Sequence, residues 1–480
     1  MSNFKRFPFL IFICILTFSL VFSGCFRKEQ DEGITRYNGV ELTYYKVFDG
    51  SDVMEPLINK FEATHPGLVI HYKKFDDFEE YQRVILNEMA EGEGPDIFSM
   101  QNTWFMSNYK KITPMPSDIG TPDLFEGLFV DVAYKDLVRT DDEGHEQIYG
   151  VPMTVDTLAL YYNKDHFEDR LPSKGKPSDT WEGIKEDVFV LNKTDESFDR
   201  FEISGIAMGR ADNISRAVDI LYLLFLQHDT QIYDDLMTEA VFAARQNGLF
   251  SYPGMEALDL YSGFADEDNK HFSWNEYTAD DDSEGQEIEA FARGDVSMII
   301  GYSYTYDLIE NYIRLVESKK QTAIDKDAIR IASIPQLYDP DVSNEKRVTY
   351  ASYFAETVSR NTENPELAWD LLVFLTQGEQ LDSYFNETHK PTSRRDMIED
   401  QKDDPIYGVF AEQIGFAESF PIVDYYTYKD AFERVIDASS GSGIAQGALI
   451  DAQDHINEFL PKDGIIVPVA KETEEEESEE

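Results

Sequence analysis

Two periods of apolar residues take turns along this chain. Val40–Phe48 reads as a strand of mixed apolar and aromatic residues. Asp52–Thr64 follows with Val53, Leu57, Ile58 and Phe61 on one helical face, and Asp52 or Ser51 as the cap. Leu68–Tyr72 alternates as a second strand, Tyr81–Ala90 reads as a helix and Asp96–Met100 as a buried strand. This β-α-β-α-β order predicts a parallel sheet with helices on its faces. Binding groups in such sheets lie just beyond the carboxyl ends of the strands, here after Phe48 and after Met100.

Further along, helix dominates. Ile214–Gln227, Met255–Phe264 and Gln286–Arg293 are candidate amphipathic helices, and Val296–Ile300, Ile329–Ile334 and Val348–Val358 are candidate strands. Pro365–Thr376 reads as a helix, with Asn364 as cap and Pro365 in its first position. Tyr425–Leu460 looks helical apart from the Ser/Gly break at 439–443. Between the two regions lies Tyr149–Asp165, YGVPMTVDTLALYYNKD, an extended apolar run interrupted by one internal acid, Asp156. A carboxylate in such a run is costly to bury unless something binds it, either a structural partner or a ligand.

The ends of the chain read differently. Lys5 and Arg6 precede an apolar stretch, Phe7 to Phe22, and then Ser23-Gly24-Cys25. This is the layout of a secretory signal, and Phe22–Cys25 resembles a lipobox whose Cys25 is acylated after cleavage. Residues 1–24 are thus expected to be a lipoprotein signal peptide, 25–36 a flexible tether and 466–480 a disordered acidic tail, with seven Glu in the last ten residues. Cys14 and Cys25 are the only cysteines, so a processed chain holds no disulfide. A formal net charge of −51 argues against nucleic acid and against anionic lipid as partners, and favours neutral or cationic solutes.

Motifs of chemistry are sparse. The eight His are scattered, and Asp280–Glu284 begins like a calcium loop but has Phe291 where the pattern needs Glu. There is no phosphate-cradling loop and no nucleophile elbow. Carboxylates are too numerous for any pair to stand out, so no catalytic residue, metal or cofactor is assigned and an enzyme is not expected. Aromatic residues make up 13% of the chain, and flat rings at strand ends suit sugar faces. Trp104, Tyr302, Tyr304 and Tyr306 stand at such ends, with core packing as the competing role. Trp181, in Thr180-Trp181-Glu182, reads as the anchor of a helix start, and Trp369 as a packing residue within a helix.

Five segments, in order, resemble those of bacterial extracellular solute-binding proteins of the maltose-binding type. They are Phe61–Phe75, Gly92–Trp104 (GEGPDIFSMQNTW), Tyr149–Asp165, Phe291–Tyr304 (FARGDVSMIIGYSY), and Asn364–Leu375 with Lys390–Asp396 (KPTSRRD). The resemblance implies an α/β, two-lobe periplasmic-binding-protein-like fold of type II, with discontinuous lobes joined by hinge strands. The implied lobes are 37–152 plus 336–378 and 153–335 plus 379–465. It also implies a lipid-anchored receptor, at a Gram-positive surface or in a periplasm, that holds a sugar or oligosaccharide in an interlobe cleft and delivers it, as a monomer, to the permease of an ABC importer. By the same resemblance Asp156 matches an acidic ligand contact, Tyr304 a stacking Trp, and Asp49 a polar contact. Asn102, Thr103 and Trp104 cover the contacts after the third strand, where the maltose type carries charged residues. Tyr302, Tyr353 and Arg394 complete the candidate set by neighbourhood. Two alternatives remain open: a surface lipoprotein sensing ligand for a membrane signalling partner, and a secreted glycosidase.

Overall fold

The computed structural model describes residues 37–141, 143–194, 201–246, 251–278, 286–339, 342–343, 345–439 and 445–460. The expected signal peptide (1–24), Cys25, the expected tether (25–36), the expected acidic tail (466–480) and the 280–284 loop lie outside the described residues. The strands that position the candidate residues are β1 (Glu41–Val47), β2 (Val69–Phe75), β3 (Ile97–Gln101), β4 (Val151–Pro152), β5 (Asp156–Thr157), β6 (Ala159–Asn163), β7 (Met298–Gly301), β8 (Ile329–Ala332), β9 (Thr349–Ser352) and β10 (Phe354–Val358). The principal helices are α1 (Ser51–Thr64), α2 (Phe78–Glu91), α3 (Asp131–Leu137), α4 (Trp181–Leu191), α5 (Ala217–Gln227), α6 (Pro253–Ser262), α7 (Gln286–Arg293), α8 (Thr305–Ser318), α9 (Pro365–Leu375), α10 (Tyr425–Ser439) and α11 (Ala445–Phe459). The chain forms two compact units.

The first unit comprises the described residues up to Phe98 together with Asn361–Phe374. Its strands pair as expected from the alternation: β1 runs parallel to β2 from Glu41↔Val69 to Val47↔Phe75, and parallel to the start of β3 at Tyr44↔Ile97. Helix α1 turns Met54, Leu57, Ile58 and Phe61 inward. Its cap is Gly50, without a side-chain hydrogen bond, rather than Ser51 or Asp52. Helix α2 starts where the Asp77 carboxylate accepts the Glu80 N–H, and stops at Gly92 with φ of 81°. The Asp96 carboxylate accepts the Thr43 N–H at 2.7 Å and the Thr43 hydroxyl at 3.0 Å, tying β1 to the start of β3.

The second unit holds Ser99–Arg360 and the described residues from Leu375 onward. A three-stranded antiparallel sheet, order β7-β6-β8, lies in a single apolar core to which α4, α5, α6, α7, α10 and α11 all contribute. Helix α5 departs from expectation. The pattern predicts an amphipathic helix, yet Ala217, Val218 and every residue from Ile220 to Phe225 are buried. A helix apolar all round belongs inside, and only Asp219 breaks the run of buried apolar residues. The run 149–165 is likewise not one strand. It is divided into β4, β5 and β6, with β4 paired to β10 and β5 to β9, both antiparallel. The predicted strand 348–358 is divided at Tyr353 into β9 and β10.

Candidate functional site

The polar residues of the second unit converge at the end of β7. There the chain turns through Tyr302, Ser303 and Tyr304 into α8, and the turn is gripped from two sides. The Asp156 carboxylate accepts the Ser303 N–H with both oxygens at 3.1 Å, the Ser303 hydroxyl at 2.6 Å, and the Thr157 N–H at 2.9 Å. From below, the buried Tyr161 hydroxyl donates to the carbonyls of Tyr302 at 2.6 Å and Ser303 at 3.2 Å. Asp156 therefore has structural partners. Burial still pushes its pKa up to about 6, against the lowering pull of the Ser303 and Thr157 hydrogen bonds and the charge of Lys390.

The two tyrosines of this turn differ. Tyr302 is buried and donates its hydroxyl to Asp219 at 2.9 Å. Tyr304 leaves 36% of its side chain exposed and lies against Tyr302, ring centroids 5.7 Å apart and planes 25° from parallel. The Arg216 guanidinium sits 5.9 Å from the Tyr302 centroid and 5.7 Å from that of Tyr304. Arg216 also faces Asp219 at 3.9 Å. Burial raises the pKa of Asp219 although Arg216 and the Tyr302 hydroxyl pull it down, and burial lifts Tyr304 to about 12. The result is an aromatic face backed by a second ring and a cation, on a turn whose backbone is held by Asp156 and Tyr161.

A second group adjoins the first through the sheet, since Ser352 lies directly opposite Asp156 in the β9–β5 pairing. Gln101 donates to the Ser352 hydroxyl at 3.4 Å. Asn102 is buried. Its backbone N–H donates to the Tyr353 carbonyl at 3.0 Å, its side-chain amide donates to Ala351 at 3.3 Å, and its amide oxygen accepts the Tyr353 N–H at 3.4 Å. The Tyr353 hydroxyl donates to Asp136 of α3 at 2.8 Å, and Ser419 also donates to that carboxylate. Burial raises the Asp136 pKa, opposed by Ser419, Tyr353 and Arg139.

The structure thus brings together Asn102, Tyr353, Asp156, Tyr302 and Tyr304. Thr103 and Trp104 are both buried in the tight turn after β3, and the Thr103 hydroxyl oxygen has no hydrogen-bond partner among the described residues. Arg394 stands apart. It makes a two-pronged pair with Asp396 at 2.9 and 2.7 Å and donates to Thr376 at 3.1 Å. Asp49, in the first unit, is buried beside Lys46 at 3.3 Å, and its carbonyl accepts the Tyr72 hydroxyl at 2.7 Å. Just before it, Phe48 adopts φ of 71° with half its side chain exposed, a strained posture for an aromatic residue. Arg216 and Asp219 escaped sequence reasoning, although two charges opening an otherwise apolar helix were a legible signal. Ser303 carried none. Among the described residues no cluster of His, Cys, Asp or Glu is arranged to hold a metal ion, and no helix is long and apolar enough to cross a membrane.

Residues 49–380, well over half the chain, match the family described as bacterial extracellular solute-binding protein. A protein of Brucella abortus known only as a binding protein is 22% identical over 417 residues, covering 85% of this chain and 90% of its own. Among solved structures, an ABC transporter solute-binding protein from Thermotoga lettingae, bound to α-D-tagatose, is 20% identical with a TM-score of 0.62. The alignment covers 87% of this chain and 99% of that one. A substrate-binding protein from Listeria monocytogenes in complex with cycloalternan is 18% identical with a TM-score of 0.64, covering 87% and 98%. The chain belongs to the bacterial extracellular solute-binding protein family and has the two-lobe α/β fold of these structures. The family is one of binding proteins that act outside the cytoplasm.

Proposed function

We propose that the protein captures a neutral sugar or oligosaccharide for an ABC importer, carried at the outer face of the membrane by a lipid on Cys25. One observation carries the sugar assignment: the half-exposed ring of Tyr304, backed by Tyr302 and Arg216, in a turn held by Asp156 and Tyr161. A rigid aromatic face gives the C–H side of a pyranose a large contact at small entropic cost. The carboxylates, amides and hydroxyls beside it suit sugar hydroxyls. Asp156, with four hydrogen bonds inside the protein, acts by holding the platform, while Asn102 and Tyr353 hold the neighbouring wall. The sugars named with the Thermotoga and Listeria structures support the same class of ligand. The test is calorimetric titration of the purified protein with a broad saccharide panel. At least one sugar is expected to bind and to raise Tm, and Tyr304→Ala to weaken that binding by tenfold or more. Silence across the panel would overturn the sugar assignment.

A further inference from the structure

A cavity of about 620 Å³, of the size that small ligands occupy, opens at the far end of α5 from Arg216, beside α4, α6 and the loop after α6. No residue of the Tyr302–Tyr304 turn or its supports lines it. His228 caps α5 there. Its Nδ1 lies 2.8 Å from the Leu224 carbonyl, so Nδ1 carries the proton and Nε2 keeps its lone pair. His271 sets its ring edge-on to Phe264, centroids 4.9 Å apart, and neither of its nitrogens has a hydrogen-bond partner among the described residues. Burial, helped by the charge of Lys185, holds both imidazoles below the ordinary histidine pKa. The Leu224 carbonyl and Glu256 oppose this at His228, and Glu182 and Asp266 oppose it at His271. Both rings therefore line the cavity as neutral acceptors at neutral pH.

The acids of the wall fall into two groups. Glu256, with Asp259 one turn further along α6, acts on His228, while Asp266 and Glu182 act on His271. Lys185, the one cation among the described lining residues, is paired with Glu182 at 3.3 Å. Glu256, Asp259 and Asp266 make no ion pair among the described residues. Burial and the neighbouring charge of Glu256 raise the Asp259 pKa, as expected of a carboxylate without a counter-charge. Among the described residues no three of these groups converge as a metal ion needs, so the complementary ligand spreads its positive donors over some length. We infer that this cavity is a second binding site, for an organic cation with two or more amino groups. One ammonium sits with Glu256, Asp259 and Nε2 of His228, and another with Asp266 and His271. Each brings three N–H donors to carboxylate oxygens and an imidazole lone pair. A polyol would leave the carboxylates without a counter-charge, and an anion would meet four acids and one lysine. The inference stands apart from the sugar reading, since the two sites share no residue.

The experiment is calorimetric titration of the purified protein, in about 0.15 M salt, with 1,4-diaminobutane, butylamine, 1,4-butanediol and zinc chloride in turn. Melting temperatures report folding of each variant. Expected is one diamine per molecule, bound about tenfold or more tighter than butylamine, with no binding of the diol. His228→Gln and Asp259→Asn should each weaken the diamine by about tenfold or more, and so should a fall from about pH 7 to about pH 5, as the imidazoles take up protons. Lys185→Gln, which removes the cation from the wall, should tighten diamine binding. Lys60→Gln, the same charge change at an exposed position of α1, should leave it unaltered. This pair keeps the test decisive if the other variants fail to fold. Equal responses of the two lysine variants, or many weak equivalents, would mean diffuse attraction to an acidic surface and overturn the site. Absence of diamine binding overturns it as well, and zinc bound in its place and lost in Asp259→Asn would replace the amine with a metal.

Discussion

Asp156 carries the sharpest consequence at the scale of one residue. Its folded pKa of about 6 lies above the ordinary aspartate value of 3.8, so the folded state takes up the proton first. Stability linked to this group accordingly rises as pH falls from about 6 toward about 4, and the burden of burying its charge is fully present above pH 6. Asp156→Asn cannot titrate. The stability difference, wild type minus variant, is expected to grow by roughly 1–2 kcal/mol between pH 7 and pH 5. Urea unfolding at each pH checks this, and a difference that stays flat would show that Asp156 does not titrate in that window. Thr103 makes a contrasting case. Its buried hydroxyl lacks a partner among the described residues, so Thr103→Val should cost less than about 0.5 kcal/mol or stabilise. Asn102→Ala, which removes the amide contacts to Ala351 and Tyr353, should cost about 1–2 kcal/mol in the same denaturation assay.

At the scale of elements, α5 is the helix on which the site leans. Leu221 and Leu223 are fully buried, and truncation of either to Ala should destabilise the protein by about 2–5 kcal/mol in chemical denaturation. The elements most legible from sequence were those with one clear period or clear punctuation. β1, β2 and α1 follow the apolar pattern, and α9 begins at Pro365. Two features were less legible, for physical reasons. An apolar run cannot say whether it is straight, so 149–165 concealed the breaks that set Asp156 opposite Ser352. A helix buried on every side resembles an amphipathic one when a few polar residues are counted as a face, which is how Arg216 and Asp219 went unremarked. The candidate site was legible where residues follow a strand, as Tyr304 does. Its supports, Ser303 and Tyr161, come from chain contacts that no local pattern records.

For the whole molecule, charge matters more than any one contact. The chain carries a formal −51, and both of its cysteines lie outside the described residues, so the described body is held by its apolar cores without a disulfide. Self-repulsion on this scale destabilises the compact state and is screened by salt. Raising sodium chloride from low to near-molar concentration should therefore lift Tm by several degrees, as scanning calorimetry would show. A Tm that falls with salt would mean that the exposed ion pairs outweigh the net repulsion.

The turn between β7 and α8 has one more consequence. Its hydrogen bonds from Asp156 and Tyr161 end on Ser303 and on the Tyr302 carbonyl, and none of them engages the side chain at 304. The frame and the facet it presents are chemically separate. Under the proposed sugar reading, drift at this one position, to Trp, Phe or an aliphatic residue, would change the face offered to the ligand while the hydrogen bonds beneath it stay intact.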